Sequence, residues 1–288
     1  MPATGDAQRA VPAAWRPVHR GAYRGTVRAL RSEMALSPAQ RVPLLTQLTG
    51  LVGQGGQVLS LVPLVIVLHG DGGTAAGIRA SLPLEAQANG AAAFSYLSAQ
   101  GGTFEYWTDA GRGHEGRFVQ AIIANYGVAG VSIDPARVYL VGFSGGGTMA
   151  QALGCRLGAG VIRKMGIHSG SLYSVGDFTY TGDVVNCNLP GTMLIWGKLD
   201  QTNGVDYATG QAIRNNHLAT QNCAATTTNT TPAPCVAYDQ CTRPVEWCAI
   251  DGLGHALWNN AAQAFWRYFA QDGVVAPETP LFVDGFEG

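Results

Sequence analysis

An apolar run, Val138-Tyr139-Leu140-Val141, leads directly into Gly142-Phe143-Ser144-Gly145-Gly146, and a stretch rich in small residues, Thr148–Leu157, follows with helical character. Glycines two positions either side of a serine restrict what the backbone can be doing there. A serine at a sharp strand-to-helix turn sits in a strained conformation, and neighbours two positions away must lack bulk or collide. Such a turn exposes the hydroxyl and places it at a helix N-terminus, where developing negative charge is favoured. Taken alone the pattern also fits a glycine-rich turn before any helix; the strand ahead of it and the helix behind it give it its meaning.

The same strand-then-turn grammar recurs along the chain. Leu64-Val65-Ile66-Val67-Leu68 reads as a buried strand ending at His69-Gly70-Asp71-Gly72-Gly73. Further strands are expected at Ala92–Leu97, Arg137–Val141, Met165–His168, Met193–Trp196 and Val245–Ile250, with helices at Ser37–Leu51, Arg117–Asn125, Thr148–Leu157 and Ala261–Ala270. Alternating strands and helices with near-continuous apolar strands imply an α/β fold, a single mainly parallel sheet with helices on both faces. With 47% hydrophobic and 13% charged residues the chain can bury a sizeable core. Residues 1–20, rich in Ala, Pro and Arg, read as extended or poorly ordered, 21–275 as one catalytic domain and 276–288 as a tail. The polar region Gln201–Arg243 reads as a helix followed by a loop.

Composition excludes several classes of partner. The formal net charge is −1, with no basic field for nucleic acid and no polybasic stretch for an anionic membrane. No apolar run reaches the roughly 18 residues that a membrane span needs. The N-terminus carries no signal-peptide pattern, which leaves open an export leader removed before this numbering begins. Six cysteines are present, Cys155, Cys187, Cys223, Cys235, Cys241 and Cys248. The last four crowd a segment rich in Thr, Asn and Pro, as expected of a disulfide-stapled excursion in an oxidising compartment, so a secreted or periplasmic protein. Cys155 and Cys187 are expected to pair, since the helix after Ser144 and the start of the strand at Met193 should be neighbours; the other four allow three connectivities. No CxxC pair and no cysteine–histidine spacing suggests zinc.

The residues that carry chemistry follow from the serine turn. Acyl transfer through a serine needs a base for its proton, an acid to orient that base, and N–H groups for the oxyanion. On folds with this turn the chain order is serine, acid, histidine. Asp200, four residues past the strand at Met193–Trp196, is the acid expected, with Asp206 as fallback and Asp251 too close to the histidine loop. His255, in Gly252-Leu253-Gly254-His255 after the last strand, is the base. His168 is its only rival, but it precedes Asp200 in the chain. The oxyanion donors expected are the backbone N–H groups of Gly145 and Asp71. His69 is expected to support that loop beside the substrate, Trp107 and Trp258 to contact substrate, His114 to line the cleft from a glycine-rich loop, and His19 and His217 to be solvated. Gly70-x-Gly72-x-x-Ala75 also satisfies a dinucleotide fingerprint, but no acidic residue ends a second strand about 20 residues on.

With those residues in place, the chain resembles a secreted esterase family of the α/β-hydrolase fold that contains poly(3-hydroxybutyrate) depolymerases and feruloyl esterases. The resemblance spans roughly Leu61–Gln271. It rests on Leu68-His69-Gly70-x-Gly72-Gly73, Trp107, Ile133-Asp134-Pro135-x-Arg137-Val138-Tyr139, Gly142-x-Ser144-x-Gly146-Gly147-x-Met149-Ala150 and Gly254-His255. Asp71 stands where the family usually has cysteine, Leu97 where proline is common, and the family's His-x-Trp is stretched to His255-Ala256-Leu257-Trp258. The last residues, Leu281–Glu287, resemble a short tail of some exported bacterial proteins. The resemblance implies triad roles for Ser144, Asp200 and His255, no metal or organic cofactor, and a polymeric or bulky ester as the partner of a monomeric enzyme. A peptidase on the same fold, a non-catalytic binding module and a nucleotide-dependent oxidoreductase are the rival readings.

Overall fold

The computed structural model describes residues 61–126, 131–171 and 187–274. The chain divides between Val58 and Leu59, and every described residue belongs to the second unit, Leu59–Gly288. Segment 1–20, the domain start at residue 21, the helix expected over Ser37–Leu51, His19 and the tail 276–288 lie outside the described residues.

The strands among the described residues are β1 (Leu61–Leu68), β2 (Ala93–Leu97), β3 (Ser132–Phe143), β4 (Lys164–His168), β5 (Gly191–Gly197), β6 (Thr227–Asn229), β7 (Cys235–Tyr238) and β8 (Val245–Ile250). They form one sheet in the order β2-β1-β3-β4-β5-β8-β7-β6. Every pair from β2 to β8 is parallel; β8–β7 and β7–β6 are antiparallel. Helices α1 (Ala75–Ser81), α2 (Leu84–Ala88), α3 (Asp109–Ala124), α4 (Gly145–Leu157), α5 (Tyr207–Thr220) and α6 (Ala261–Ala270) cover it.

Strand pleat explains the two cores. Successive side chains point to opposite faces, so Leu64, Ile66 and Leu68 of β1 join one core while Val65 and Val67 join the other. On the first face they meet Val119 of α3, Met149 and Leu153 of α4 and Ile213 of α5. On the second they meet Ile78 of α1, Leu84 of α2 and Phe265, Tyr268 and Phe269 of α6. A strand buried on both sides must be apolar at every position, which is why β1 reads as a continuous run. It tolerates Pro63 because its pairing with β3 shifts between Val62 and Leu64, where no ladder N–H is required. Opposite that shift, Asp134 accepts the Ala136 N–H at 2.9 Å and pairs with Arg137 at 2.6 Å. The Arg137 guanidinium also reaches the Leu61 carbonyl at 3.1 Å, fixing where β3 starts its long pairing.

Four expectations need correction. The helix expected from Arg117 begins at Asp109, capped by the Thr108 hydroxyl, which accepts the Gly111 N–H at 2.9 Å. Its glycines are packing residues rather than loop residues: Gly113 and Gly116 face Arg156 and Leu153 of α4 and let the helices approach. His114 therefore sits exposed on a helix and not in a loop. The region after α5 is not a plain loop but the antiparallel ribbon β6–β7, whose strands of three and four residues are too short to show a strand pattern. His217, expected to be solvated, is fully buried on α5 and bonded through Nε2 to Gln151 Oε1 at 2.9 Å. Burial pushes its imidazole down to about 4.

The six cysteines form three bridges. Cys155–Cys187 joins the end of α4 to the chain entering β5. Cys223–Cys241 closes the base of the ribbon, and Cys235–Cys248 ties β7 to β8 between directly paired residues. No helix among the described residues is long and apolar enough to cross a membrane.

Candidate active site

Three loops at the carboxyl ends of β3, β5 and β8 bring Ser144, Asp200 and His255 together, where open parallel sheets place their sites. His255 Nε2 lies 2.9 Å from Ser144 Oγ, and His255 Nδ1 lies 2.7 Å from Asp200 Oδ2. These are hydrogen bonds in series, able to pass a proton from a hydroxyl to an imidazole whose far side is held by a carboxylate.

Each member is held by a local device. Ser144 joins β3 to α4 with φ 52 and ψ −122, a conformation rare outside glycine. The turn survives because its neighbours are bare. A Cβ at Gly142 would overlap the backbone of Gly146 and Gly147, and one at Gly146 would overlap the carbonyls of Leu68 and His69. The Ser144 N–H donates to the His168 carbonyl at 2.9 Å, which fastens the turn to β4.

Asp200 is buried, its Oδ1 accepting the Thr202 N–H at 3.0 Å while Oδ2 faces His255. Its loop is bonded to the histidine loop: Lys198 N–H to Ile250 O and Leu199 N–H to Leu253 O, both at 2.9 Å. Gly197 permits this approach, since a Cβ there would strike the carbonyls of Leu253 and Gly254. Asp206, the fallback acid, is instead the N-cap of α5; its carboxylate accepts the Thr209 N–H at 2.7 Å, and that bond holds it below the usual carboxylate range. Asp251 is spent on an ion pair with Lys198 at 2.8 Å.

His168, the rival base, is fully buried beneath the site. Its Nε2 accepts the Trp258 N–H at 3.0 Å, so its proton sits on Nδ1, which lies 3.1 Å from Ser169 Oγ. Burial, with the nearby His255 adding to it, pushes this imidazole down to about 3. It is a neutral fastener for the loop that carries His255. Phe143 stands between the two, edge-on to His168 and stacked on His255 at 5.3 Å between centroids. Neither role is visible in the sequence, although Phe143 occupies the open position of the serine motif.

The loop after β1 supplies the other wall. Among the described residues, no protein acceptor takes the N–H of Asp71 or of Gly145. His69 is buried, its Nδ1–H donating to the Gly70 carbonyl at 2.7 Å and its Nε2 accepting the Ala99 N–H at 3.0 Å. With both nitrogens engaged it holds the loop from behind, the supporting role expected of it. The Asp71 carboxylate accepts the Tyr106 hydroxyl proton at 2.8 Å and packs against Gly145. Trp107, next to Tyr106 and edge-on to it, is 45% exposed. Trp258 is half-buried and packs against the α6-side core. Among the described residues, no group of three or more His, Cys, Asp or Glu could hold a metal ion.

No family model matches the sequence, and no curated protein matches it. Among solved structures, an acetyl xylan esterase from Aspergillus awamori is similar with a TM-score of 0.54 at 15% identity, over 73% of this chain and 90% of that one. Esterase PE8 is similar with a TM-score of 0.53 at 17% identity, over 75% of this chain and 94% of that one. At such identities the likeness speaks to architecture, and it agrees with the sheet order above: the chain has the α/β-hydrolase fold.

Proposed function

We propose that this chain is a serine hydrolase that cleaves carboxylic esters through an acyl-enzyme. The observation that carries this reading is the unbroken series Asp200–His255–Ser144 at 2.7 and 2.9 Å. Ser144 Oγ attacks the carbonyl carbon as its proton passes to His255 Nε2. Asp200 keeps the other imidazole proton on Nδ1 and stabilises the imidazolium. The N–H groups of Gly145 and Asp71 hold the oxygen of the tetrahedral intermediate. Collapse breaks the ester C–O bond and His255 returns the proton to the leaving alcohol. Water then enters by the same relay, releasing the acid and restoring Ser144. The fold shared with two esterases is in keeping with this chemistry.

The substrate in this reading is a bulky or polymeric ester, of the polyhydroxyalkanoate or feruloyl kind suggested by the sequence resemblance. An exposed indole at Trp107, beside the Asp71 loop, supports it, because flat aromatic rings suit an extended chain or a phenolic ring. Three disulfides support a secreted or periplasmic site of action. The test is a panel of aryl acetate, feruloyl and oligomeric 3-hydroxybutyrate esters with wild type and Ser144→Ala. Turnover of at least one by wild type, with loss on the order of 10⁴–10⁶-fold in a folded alanine variant, supports the reading. A folded alanine variant that retains turnover overturns it. Trp107→Ala lowers kcat/KM on the larger esters by roughly tenfold and leaves the acetate nearly unchanged, since remote binding energy is lost only with the larger substrate.

A further inference from the structure

A carboxylate stands against the residue whose N–H is assigned to the oxyanion. Gly145 has no side chain, and the Asp71 carboxylate fills the space where its Cβ would be, with both oxygens close to that position. The carboxylate is not there by chance of a loose rotamer. Tyr106, itself nearly buried, donates its hydroxyl proton to Asp71 Oδ2 at 2.8 Å and pins the group in place. Among the described residues, no protein donor is bonded to the second oxygen, Oδ1, and Asp71 is exposed.

This arrangement is costly for a generic hydrolase. Negative charge builds on the carbonyl oxygen in the transition state, and a fixed carboxylate beside the oxyanion donors opposes it. The opposition weakens if the substrate brings its own hydrogen-bond donor to Oδ1, which spreads the charge and pairs the oxygen Tyr106 leaves open. It worsens if the substrate brings a second anion. Resting on the ester-hydrolase reading, we propose that Asp71 is a specificity-determining residue, selecting uncharged esters that carry a free hydroxyl close to the reacting carbonyl and rejecting those that carry a carboxylate there.

The experiment compares 4-nitrophenyl esters of butyrate, 3-hydroxybutyrate and succinate, with wild type, Asp71→Asn and Tyr106→Phe. Asparagine keeps the size of the side chain, an acceptor for Tyr106 and the backbone N–H, while it removes the charge and turns the open second oxygen from an acceptor into an N–H donor. Ratios of kcat/KM between substrates are read, so any general change in rate cancels. Wild type prefers 3-hydroxybutyrate to butyrate and discriminates against the succinate ester. In Asp71→Asn the hydroxybutyrate-to-butyrate ratio falls and the succinate-to-butyrate ratio rises, each by about tenfold. Tyr106→Phe moves both ratios in the same direction by a smaller factor. Added salt weakens discrimination against succinate in wild type and not in Asp71→Asn. Ratios that stay within about twofold of wild type in Asp71→Asn overturn the proposal while leaving ester hydrolysis intact. A wild type that turns over none of the three esters overturns the hydrolase reading itself.

Discussion

The turn that carries Ser144 and the loop that carries His255 face each other across one hydrogen bond, yet they are held by opposite means. The serine turn is fixed by exclusion: Gly142 and Gly146 lie so close to neighbouring backbone that no side chain fits, and Ser144 is locked at positive φ. The histidine loop is fixed by attachment: His255 is partly exposed, held by Asp200 at one nitrogen, by the Phe143 ring, and through Trp258 by His168. A part held by exclusion can only break, whereas a part held by a few bonds can be loosened in steps. Ser144 therefore gains its position from the fold as a whole, and His255 gains its position from individual side chains.

Asp200→Asn tests the strongest attachment. It keeps the shape but offers Nδ1 a donor as readily as an acceptor, so kcat should fall by about 10⁴-fold with little change in Tm. A loss below about tenfold would mean that the loop holds the imidazole without its acid. Gly146→Ala tests exclusion: the new Cβ meets the Leu68 and His69 carbonyls, and a cost of about 3 kcal/mol should lower Tm and activity together. An alanine variant with unchanged Tm would show that the turn can yield after all. His168→Leu removes the acceptor of the Trp258 N–H and should lower kcat by roughly 10–100-fold, while His168→Gln, which can place an oxygen near Nε2, restores much of it. Equal losses in the two variants would assign His168 to filling volume rather than positioning.

The most gradual effect concerns acid. His168 and His217 are held at about 3 and about 4 in the fold, below the ordinary value of 6.5. The unfolded chain then binds protons that the folded chain refuses, so stability is intact above about 6.5 and declines as pH falls toward 4, by up to about 1.4 kcal/mol per pH unit for each histidine. His217→Gln should flatten part of that decline in a Tm-against-pH series. An identical slope in wild type and variant would remove His217 from the account.

Much of the fold is legible in the sequence, and the features that are not share a cause. Strands buried on both faces announce themselves as apolar runs, and the glycines around Ser144 answer to sterics within five residues, so the parallel sheet and the serine turn could be read locally. The bridge between Cys155 and Cys187 followed from the expected adjacency of α4 and β5. The start of α3 was lost because Gly111, Gly113 and Gly116 are chosen for contact with other parts of the fold and look like loop residues in isolation. His168, His217, Phe143 and Tyr106 owe their settings to partners between 35 and 112 residues away in the chain, about which local pattern says nothing.

The ribbon at the far end of the sheet has one more consequence. Its outermost strand, β6, is Thr227-Thr228-Asn229, three exposed polar residues. An unpaired strand edge is a template for another chain, and short polar edges are poor templates. The bridge between Cys235 and Cys248 joins residues that are already opposite each other, so β7 cannot slide along β8. A slip of one residue would turn its inward side chains outward and offer an apolar edge to a neighbouring molecule. Reduction should thus show itself first as aggregation seeded from this edge, before any loss of the serine turn at the centre of the sheet.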